Sequence, residues 1–495
     1  MARDRSFRRR RAAGTTSDRR DPTAFTQHQP LRSTDTAAVN VPAVIFREYD
    51  VRGIVGEQLT PDFAHILGRA FATAVRRRSG KTPRIAVGRD NRPSGESLAR
   101  GVREGIAAAG GGAIDVGQLP TPALYLAERQ LGVDAGLQVT GSHNPPEFNG
   151  FKMVVGGEAF FGGDIQGLLR LIQRDELDAG KGTTSADQTV LDRYVRGIVE
   201  RNGPIARPVK VVVDCGNGVA SLVAERVLTG IGAEVVPLYC ESDGTFPNHH
   251  PDPTVLENIR DLQATVRRVG AELGIGFDGD GDRIGLVDET GQVVYGDHIL
   301  LLLARDLVRR AGTGHPVIFD VKCSETLRTG LERAGLRPVM WKTGHSLLKA
   351  KMKEMQAPLA GEMSGHMFFA GDYYGFDDAP FAAARLIAFL AGTPGPLSSL
   401  LADVPRTFTT PELRVDCPDD RKFQVVEAAA RHFAERYEVI TIDGVRMVFP
   451  DGWGLLRASN TQPVLVLRFE ASSEAALVAH RGEVEAWLRS QGVTA

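Results

Sequence analysis

One unit, written three times, constrains the fold of this 495-residue chain more than any other feature. RIAVGRDNRPSGESLARGV from Arg84, KVVVDCGNGVASLVAERVL from Lys210 and PVIFDVKCSETLRTGLERA from Pro316 each pass from an apolar stretch of strand length through a polar turn into an amphipathic helix. Each is followed by glycine and a second apolar stretch: GGGAIDVG at Gly110, GIGAEVVPL at Gly230 and GLRPVMW at Gly335. These are βαβ units, and a chain that repeats them builds mainly parallel sheets covered by helices on both faces. The expected class is α/β, with three related α/β domains whose sheets are mixed but mainly parallel. Further on the pattern changes. Phe408 to Val415 reads as extended, Phe423 to Tyr437 as helical, and DGWGLLRASNTQPVLVLRFE as hairpin strands around an RASNT loop. A smaller C-terminal α+β domain is therefore expected. The predicted boundaries are 41–189, 190–296, 297–405 and 406–495, set around a central cleft.

Residues 1–40 stand apart. Through Asp35 they hold nine arginines and four aspartates, no lysine or glutamate and no apolar periodicity, so they read as a disordered Arg-rich tail. An organelle transit peptide and an arm for an acidic partner are the alternatives to a bland extension. The whole chain carries a formal charge of only −2, which argues against a basic nucleic-acid-binding surface. Cys215, Cys240, Cys323 and Cys417 show no CxxC spacing, which suits a reducing compartment. The aliphatic run from Ile299 to Ala304 stops at Arg305, far short of the roughly 20 residues that span a bilayer. A cytoplasmic protein with no membrane segment is expected, with a monomer favoured.

In open α/β sheets, ligands bind beyond the carboxyl ends of the strands. In each repeat a further apolar stretch opens there into a polar loop: Leu137–Thr140 into Gly141, Ser142 and His143; Leu273–Phe277 into DGDGDR at Asp278 to Arg283; Pro358–Ala360 into GEMSGH at Gly361 to His366. Serine needs a base or a metal to act as a nucleophile, and Ser142 has His143 beside it and Lys152 ten residues on. The hydrolase elbow GxSxG does not fit, because Thr140 and Asn144 stand where its glycines would. An ordinary Ser/Asn/Pro turn is the bland reading. In DGDGDR the glycines let Asp278, Asp280 and Asp282 converge, and three hard oxygens suit Mg²⁺. Unneutralised, those carboxylates would repel one another. A calcium-binding EF-hand loop is the rival, with Glu289 at its twelfth position, but Arg283 occupies the place of its glycine. A solvated acidic turn is the simplest alternative. Glu362, Ser364 and His366 alternate, so an extended segment turns them to one side, where they could grip sugar hydroxyls. Arg457, Ser459, Asn460 and Thr461 make a donor-rich nest suited to a phosphate dianion.

FREYDVRG at Phe46 to Gly53, TGSHNPPEFNGFK at Thr140 to Lys152, DGDGDR, WKTGHS at Trp341 to Ser346, GEMSGH and RASNTQP follow one another in the order seen in the α-D-phosphohexomutase superfamily. From about residue 44 to its end the chain resembles that superfamily, and most closely its bacterial phosphomannomutase/phosphoglucomutase branch. The tail is the main departure, and Gln462 falls where related loops vary. The resemblance implies reversible interconversion of hexose 1-phosphate and hexose 6-phosphate, of mannose and/or glucose. It implies that Ser142 rests as phosphoserine, bound through a phosphate oxygen to one Mg²⁺ held by Asp278, Asp280 and Asp282. A hexose 1,6-bisphosphate would be intermediate and activator. Arg457, Ser459, Asn460 and Thr461 would hold the idle phosphate with Lys322 and His345, while Tyr49 lines the substrate site. Glu362 and Ser364 would read the sugar O3 and O4, which leaves C2 unread and both epimers acceptable. Arg52, Arg283 and Lys152 would supply positive charge, and Lys152, His366 and His143 are the candidates for general acid/base. Phosphoglucosamine mutase and a non-catalytic sugar-phosphate-binding regulator are the alternatives.

Overall fold

The computed structural model describes residues 41–459 and 462–493. The Arg-rich tail expected at residues 1–40 lies outside them, as do Asn460 and Thr461.

Four sheets carry the fold. The first has seven strands, in the order Val51–Ile54, Phe148–Val155, Ala135–Val139, Arg84–Arg89, Gly112–Gln118 and Thr183–Ala186, with Glu158–Ala159 hooked onto Phe148–Val155. The second runs Val293–Val294, Ile284–Asp288, Leu273–Phe277, Lys210–Asp214 and Glu234–Leu238. The third runs Arg337–Trp341, Pro316–Asp320, Leu359–Gly361, Met367–Phe369 and Phe376–Asp377. Each repeat contributes a central strand with a parallel neighbour on either side. One of those neighbours then turns back into an antiparallel strand. The three candidate loops occupy those three turnings, between Ala135–Val139 and Phe148–Val155, Leu273–Phe277 and Ile284–Asp288, and Leu359–Gly361 and Met367–Phe369. The repeat in the sequence is thus also a repeat in where chemistry is placed.

Ala135–Val139, Leu273–Phe277 and Pro316–Asp320 are buried at every residue, which explains why they are apolar or small but for Gln138 and Asp320. The flanking helices start and stop on local signals. Pro61–Ser79 has Thr60 Oγ1 accepting the Phe63 N–H at 3.1 Å, proline in its first turn and Gly80 at φ 73° as its stop. One continuous core unites the first three sheets, from Ala86 and Leu124 through Val211 and Ile275 to Leu301, Phe319 and Ile387. At its centre the helix Ala379–Ala391 is apolar almost all round. Asp378 caps it: Oδ1 accepts the Phe381 N–H at 2.8 Å and the Tyr194 hydroxyl at 2.7 Å, and Oδ2 the Tyr373 hydroxyl at 2.6 Å.

Burial pushes the Asp378 carboxyl from 3.8 up to about 7. A carboxyl raised in the folded state contributes stability that is full below its unfolded value and is lost as pH climbs through the folded one. The thermal midpoint is therefore expected to decline across about pH 4 to 7, and Asp378→Asn to flatten that decline. An unchanged slope in the variant would place the pH dependence elsewhere.

The fourth sheet is antiparallel and six-stranded: Phe408–Thr409, Val464–Ala471, Gly452–Ala458, Val445–Phe449 and Glu438–Ile440, with Leu413–Asp416 also on Val464–Ala471. The helices Asp419–Ala434 and Glu474–Ser490 pack on it around Phe433, Phe449 and Leu488. Two arginines fasten this sheet to the third. Arg446 donates to the carbonyls of Val321 and Cys323 at 2.7 and 2.9 Å while lying over the Trp453 ring at 3.8 Å, and Arg468 donates to the Lys322 carbonyl at 2.6 Å. Among the described residues no helix is long and apolar enough to cross a membrane. The four cysteines are free thiols.

Candidate active site

Ser142 stands at φ 48°, a left-handed conformation that non-glycine residues rarely adopt and that must be held from outside. Its own N–H donates to Thr140 Oγ1 at 2.8 Å, and the Gly141 N–H to Asp90 Oδ2 at 3.1 Å. Arg92, buried against Asp90, donates to four carbonyls of the loop: Ser142 at 2.8 Å, Asn144 at 2.5 Å, Pro145 at 2.7 Å and Phe148 at 2.9 Å. Neither Asp90 nor Arg92 stood out in the sequence, where they read as the polar turn of the first repeat. Removing the guanidinium takes four hydrogen bonds from these carbonyls and the counter-charge from a buried carboxylate. Arg92→Ala is expected to cost about 3–5 kcal/mol in denaturant unfolding. A loss under about 1 kcal/mol would show that water takes over the guanidinium's bonds.

The loop below brings the metal-ligand candidates to the serine. At Gly279 a Cβ would lie 2.3 Å from the Ser142 carbonyl oxygen, so only glycine permits this approach. Gly281 supplies the left-handed turn at φ 74° that lets the three carboxylates converge. Ser142 Oγ donates to Asp278 Oδ2 at 2.8 Å and lies 3.1 Å from His143 Nδ1. Asp278 Oδ1 accepts the N–H groups of Asp282 and Arg283 at 3.0 and 3.1 Å. Thr121 Oγ1 donates to Asp280 Oδ2 at 2.5 Å. Lys152, paired with Gln138 across the strands, reaches Asp280 Oδ2 at 2.7 Å and Asp282 Oδ2 at 2.5 Å.

All three aspartates are fully buried, with ligand atoms within 4.8 Å of one another. Asp280 Oδ1 and Asp282 Oδ1 have no hydrogen-bond partner. Buried carboxylate oxygens are rarely left so, and three hard, converging oxygens fit a divalent cation such as Mg²⁺. The electrostatics agree with the crowding. Burial, then the Asp282 and Asp280 charges, hold Asp278 well above the usual carboxylate range; for Asp282, burial is outweighed by Lys152 and His366, which hold it well below. Burial opposes the charge on Lys152 too, but the carboxylates raise its pKa above the usual lysine value. His143 is driven well below the ordinary imidazole value, by burial and then by Arg283, Arg52 and Lys152.

The third loop is stitched to the second, since the Ile284 N–H donates to the Gly365 carbonyl at 3.1 Å and Arg283 pairs with His366 in an antiparallel bridge. His366 is buried, with Nδ1 2.8 Å from Glu362 Oε2 and Nε2 3.2 Å from Asp282 Oδ1 and 3.3 Å from Arg283 Nε. Burial works against its charge, yet the Asp282 and Glu362 carboxylates push it up to about 9. Glu362 Oε1 accepts the Gly344 N–H at 2.7 Å, and Ser364 Oγ sits 3.1 Å from His366 Nδ1. The three side chains thus meet, but the segment is a turn and not extended, with the Gly365 N–H donating to the Glu362 carbonyl at 3.0 Å.

The remaining predicted residues form a rim. Arg52 grips Asp50 Oδ2 through Nε and Nη2 at 3.0 and 2.6 Å and reaches Asn144 Oδ1 on the serine loop. Tyr49 donates its hydroxyl to the Thr343 carbonyl at 3.1 Å and meets the His345 ring edge-on at 6.0 Å. His345 stacks on His366 at 5.6 Å. Lys322 lies 3.3 Å from Glu412 Oε2 and 3.9 Å from Asp320 Oδ2. Arg457 Nε donates to Asp443 Oδ2 at 3.1 Å, and that oxygen accepts the Thr343 N–H at 3.0 Å, joining the fourth sheet to the WKTGHS segment. Ser459 Oγ accepts the Gln462 N–H at 3.2 Å; Lys422, which sequence reasoning missed, braces the same loop through the Ser459 and Gln462 carbonyls at 2.5 and 3.0 Å.

A buried serine over an acidic triad, ringed by lysine, arginine and histidine on three like sheets and a fourth, has close counterparts among known proteins. The chain matches the phosphoglucomutase/phosphomannomutase alpha/beta/alpha domains I, II and III at residues 43–177, 192–291 and 295–408, and the C-terminal domain at 412–485. It belongs to the phosphoglucomutase/phosphomannomutase family. A phosphomannomutase/phosphoglucomutase of Pseudomonas aeruginosa is 48% identical over 440 residues, 88% of this chain and 94% of that protein. A phosphoglucomutase of Neisseria gonorrhoeae is 43% identical over 436 residues, with the same coverage of 88% and 94%. A crystal structure of a family protein from Burkholderia thailandensis superposes with a TM-score of 0.84 at 44% identity, covering 91% of this chain and 98% of that one.

Proposed function

We propose that the chain interconverts the 1- and 6-phosphates of mannose and glucose by passing a phosphoryl group between Ser142 and the sugar. The observation that carries this reading is the buried Ser142 hydroxyl, held in a strained turn 2.8 Å from a carboxylate of the triad. Ser142 Oγ would carry a phosphoryl group at rest. A free sugar hydroxyl attacks that phosphorus, the bond to Ser142 Oγ breaks, and a hexose 1,6-bisphosphate forms. After the bisphosphate turns over in the site, its other phosphoryl group returns to Ser142. The attacking hydroxyl gives up its proton in the first transfer, and the released oxygen recovers one in the second. Lys152, His366 and His143, the proton-carrying groups packed on the serine and the triad, are the candidates for that exchange.

Asp278, Asp280 and Asp282 would hold Mg²⁺, which supplies charge stabilisation to the transferring phosphoryl oxygens. Arg283, Arg52 and Lys152 add fixed positive charge around the same point. Glu362 and Ser364 would receive sugar hydroxyls. Arg457, Ser459, Asn460, Thr461, Lys322, His345 and Tyr49 would receive the sugar's far side and its idle phosphate. Nothing in this set reads C2, where glucose and mannose differ, which supports acceptance of both. The four domains, with boundaries at 189/190, 296/297 and 405/406, would divide serine, metal, sugar and phosphate among them.

Phosphorus NMR tests the proposal: purified protein with Mg²⁺ and a trace of glucose 1,6-bisphosphate is given glucose 1-phosphate and mannose 1-phosphate separately. Conversion of both to 6-phosphates is expected. Conversion of one alone would reveal a contact to C2, and conversion of neither would overturn the assignment and direct the test to glucosamine phosphate.

A further inference from the structure

The second repeat carries a pair of thiols that phosphoryl transfer leaves unused. Cys215 follows the strand Lys210–Asp214, and Cys240 lies just past its parallel neighbour Glu234–Leu238. Pairing continues beyond the strand ends, where the Cys215 N–H donates to the Leu238 carbonyl at 3.2 Å and the Asn217 N–H to the Tyr239 carbonyl at 2.9 Å. Both segments turn there through left-handed backbone, with Tyr239 at φ 51° on one and Gly216 and Asn217 at 49° and 58° on the other. The two Sγ atoms are 3.4 Å apart. Cys323, by contrast, donates its thiol to Asp320 Oδ1 at 3.0 Å.

A disulfide sets its sulfurs about 2.05 Å apart and spans Cα atoms about 4.4–6.8 Å apart. Segments that stay hydrogen-bonded side by side run about 4.8 Å apart, so bringing these sulfurs together is a task for side chains and turns and leaves the sheet in place. The two thiols also differ as a reacting pair must. Cys215 is fully buried, whereas Cys240 is only half-buried. The Cys215 thiol holds Cys240 below the usual thiol value, against burial, while the same contact and burial hold Cys215 well above it. The thiolate is the nucleophile, so Cys240 is the sulfur that attacks and Cys215 the one that resolves.

We infer that Cys215 and Cys240 are a modification site, a dithiol that hydrogen peroxide converts to a reversible disulfide. The Cys240 thiolate attacks one peroxide oxygen, the O–O bond breaks, and the departing hydroxide takes up the proton that Cys240 gave away and leaves as water. Cys240 is left as a sulfenic acid. The Cys215 sulfur then attacks the Cys240 sulfur, the S–S bond forms as the S–O bond breaks, and the hydroxyl leaves with the Cys215 proton as a second water. Two electrons pass from the thiols to the peroxide, and a dithiol such as dithiothreitol returns them by exchange.

The turn after Cys215 supports the catalytic loops. The Val219 N–H donates to the Gly279 carbonyl of DGDGDR at 3.1 Å, and a Cβ at Gly218 would lie 3.0 Å from that same oxygen. The Asn217 carbonyl accepts Asn91 Nδ2, next to Arg92 in the chain, at 2.6 Å. Drawing Cys215 toward Cys240 moves this support and the acidic loop resting on it, so the disulfide slows the enzyme. That slowing rests on the sugar-phosphate reading above, whereas the bond itself does not.

The test separates the two. The full chain is treated with hydrogen peroxide, its remaining thiols are alkylated, and its peptides are mapped by mass without reduction, while turnover of glucose 1-phosphate is followed in parallel. A cross-linked peptide pair joining Cys215 to Cys240 is expected. Turnover should fall by at least about tenfold, since a misplacement of about 1 Å can cost about a hundredfold, and dithiothreitol should restore it. Cys240→Ser and Cys215→Ala should each form no cross-link and resist the same dose; the exposed-side variant guards against a folding defect in the buried one. Absence of the cross-link, a cross-link between other cysteines, or undiminished turnover of the cross-linked chain would each overturn the proposal, as would equal peroxide sensitivity in both variants. If the reduced chain converts no sugar phosphate, the sugar-phosphate reading fails while the peptide map still decides the disulfide.

Discussion

Ser142→Ala is expected to lower kcat by on the order of 10⁴ or more, since the transfer loses the oxygen that carries the phosphoryl group. The purified wild-type chain should show by intact mass one phosphoryl group that the variant lacks. The substitution leaves the loop standing, because Thr140, Asp90 and Arg92 hold it through backbone N–H and carbonyl groups and not through Oγ. Its thermal midpoint should therefore stay close to wild type, which distinguishes loss of chemistry from loss of fold. Near-normal turnover, or phosphate found at another residue, would remove Ser142 from the reaction.

Stripping divalent cations is expected to have the second largest effect. A metal that polarises a phosphoryl oxygen supplies several kcal/mol to the transition state, so chelator-treated protein should lose at least about a hundredfold in turnover and recover it with Mg²⁺. Asp280→Asn should show a comparable loss that Mg²⁺ does not reverse at ordinary concentrations. Ca²⁺, which prefers longer bonds and more ligands, should restore less. Full activity after exhaustive chelation would mean that Lys152 and Arg283 suffice to neutralise the transferring group.

Much of this site was legible because its parts are compact in sequence. DGDGDR places three carboxylates on one short turn, and the need for Gly281 follows from that turn, whereas the need for Gly279 comes from the distant Ser142 carbonyl. Glu362, Ser364 and His366 do meet, but across a turn closed by the Gly365 N–H on the Glu362 carbonyl and not along the extended segment that their alternation suggested. The three repeats announced the parallel strands, and the change of pattern after residue 405 announced the antiparallel sheet. What stayed hidden is what the fold brings from afar. Arg92 lies 50 residues before Ser142 yet holds its carbonyl, and Thr121 reaches Asp280 from 159 residues away. Asp377 precedes the helix cap Asp378, and only the packing of distant segments shows it facing two histidines. Lys422 lies on a helix and looks like a surface charge, but its ammonium is spent on loop carbonyls.

The ammonium of Lys152, lying between Asp280 and Asp282, has a consequence for how the chain matures. An acidic loop buried among apolar strands would ordinarily oblige folding to wait for an ion, as it does in small domains that are unstructured without their metal. Here the counter-charge is part of the polypeptide and arrives on the strand Phe148–Val155, hydrogen-bonded beside the one that ends at the serine loop. The newly made chain can close its core with a counter-charge already lodged in the acidic loop, and the ion joins Lys152 there late instead of being a condition for folding.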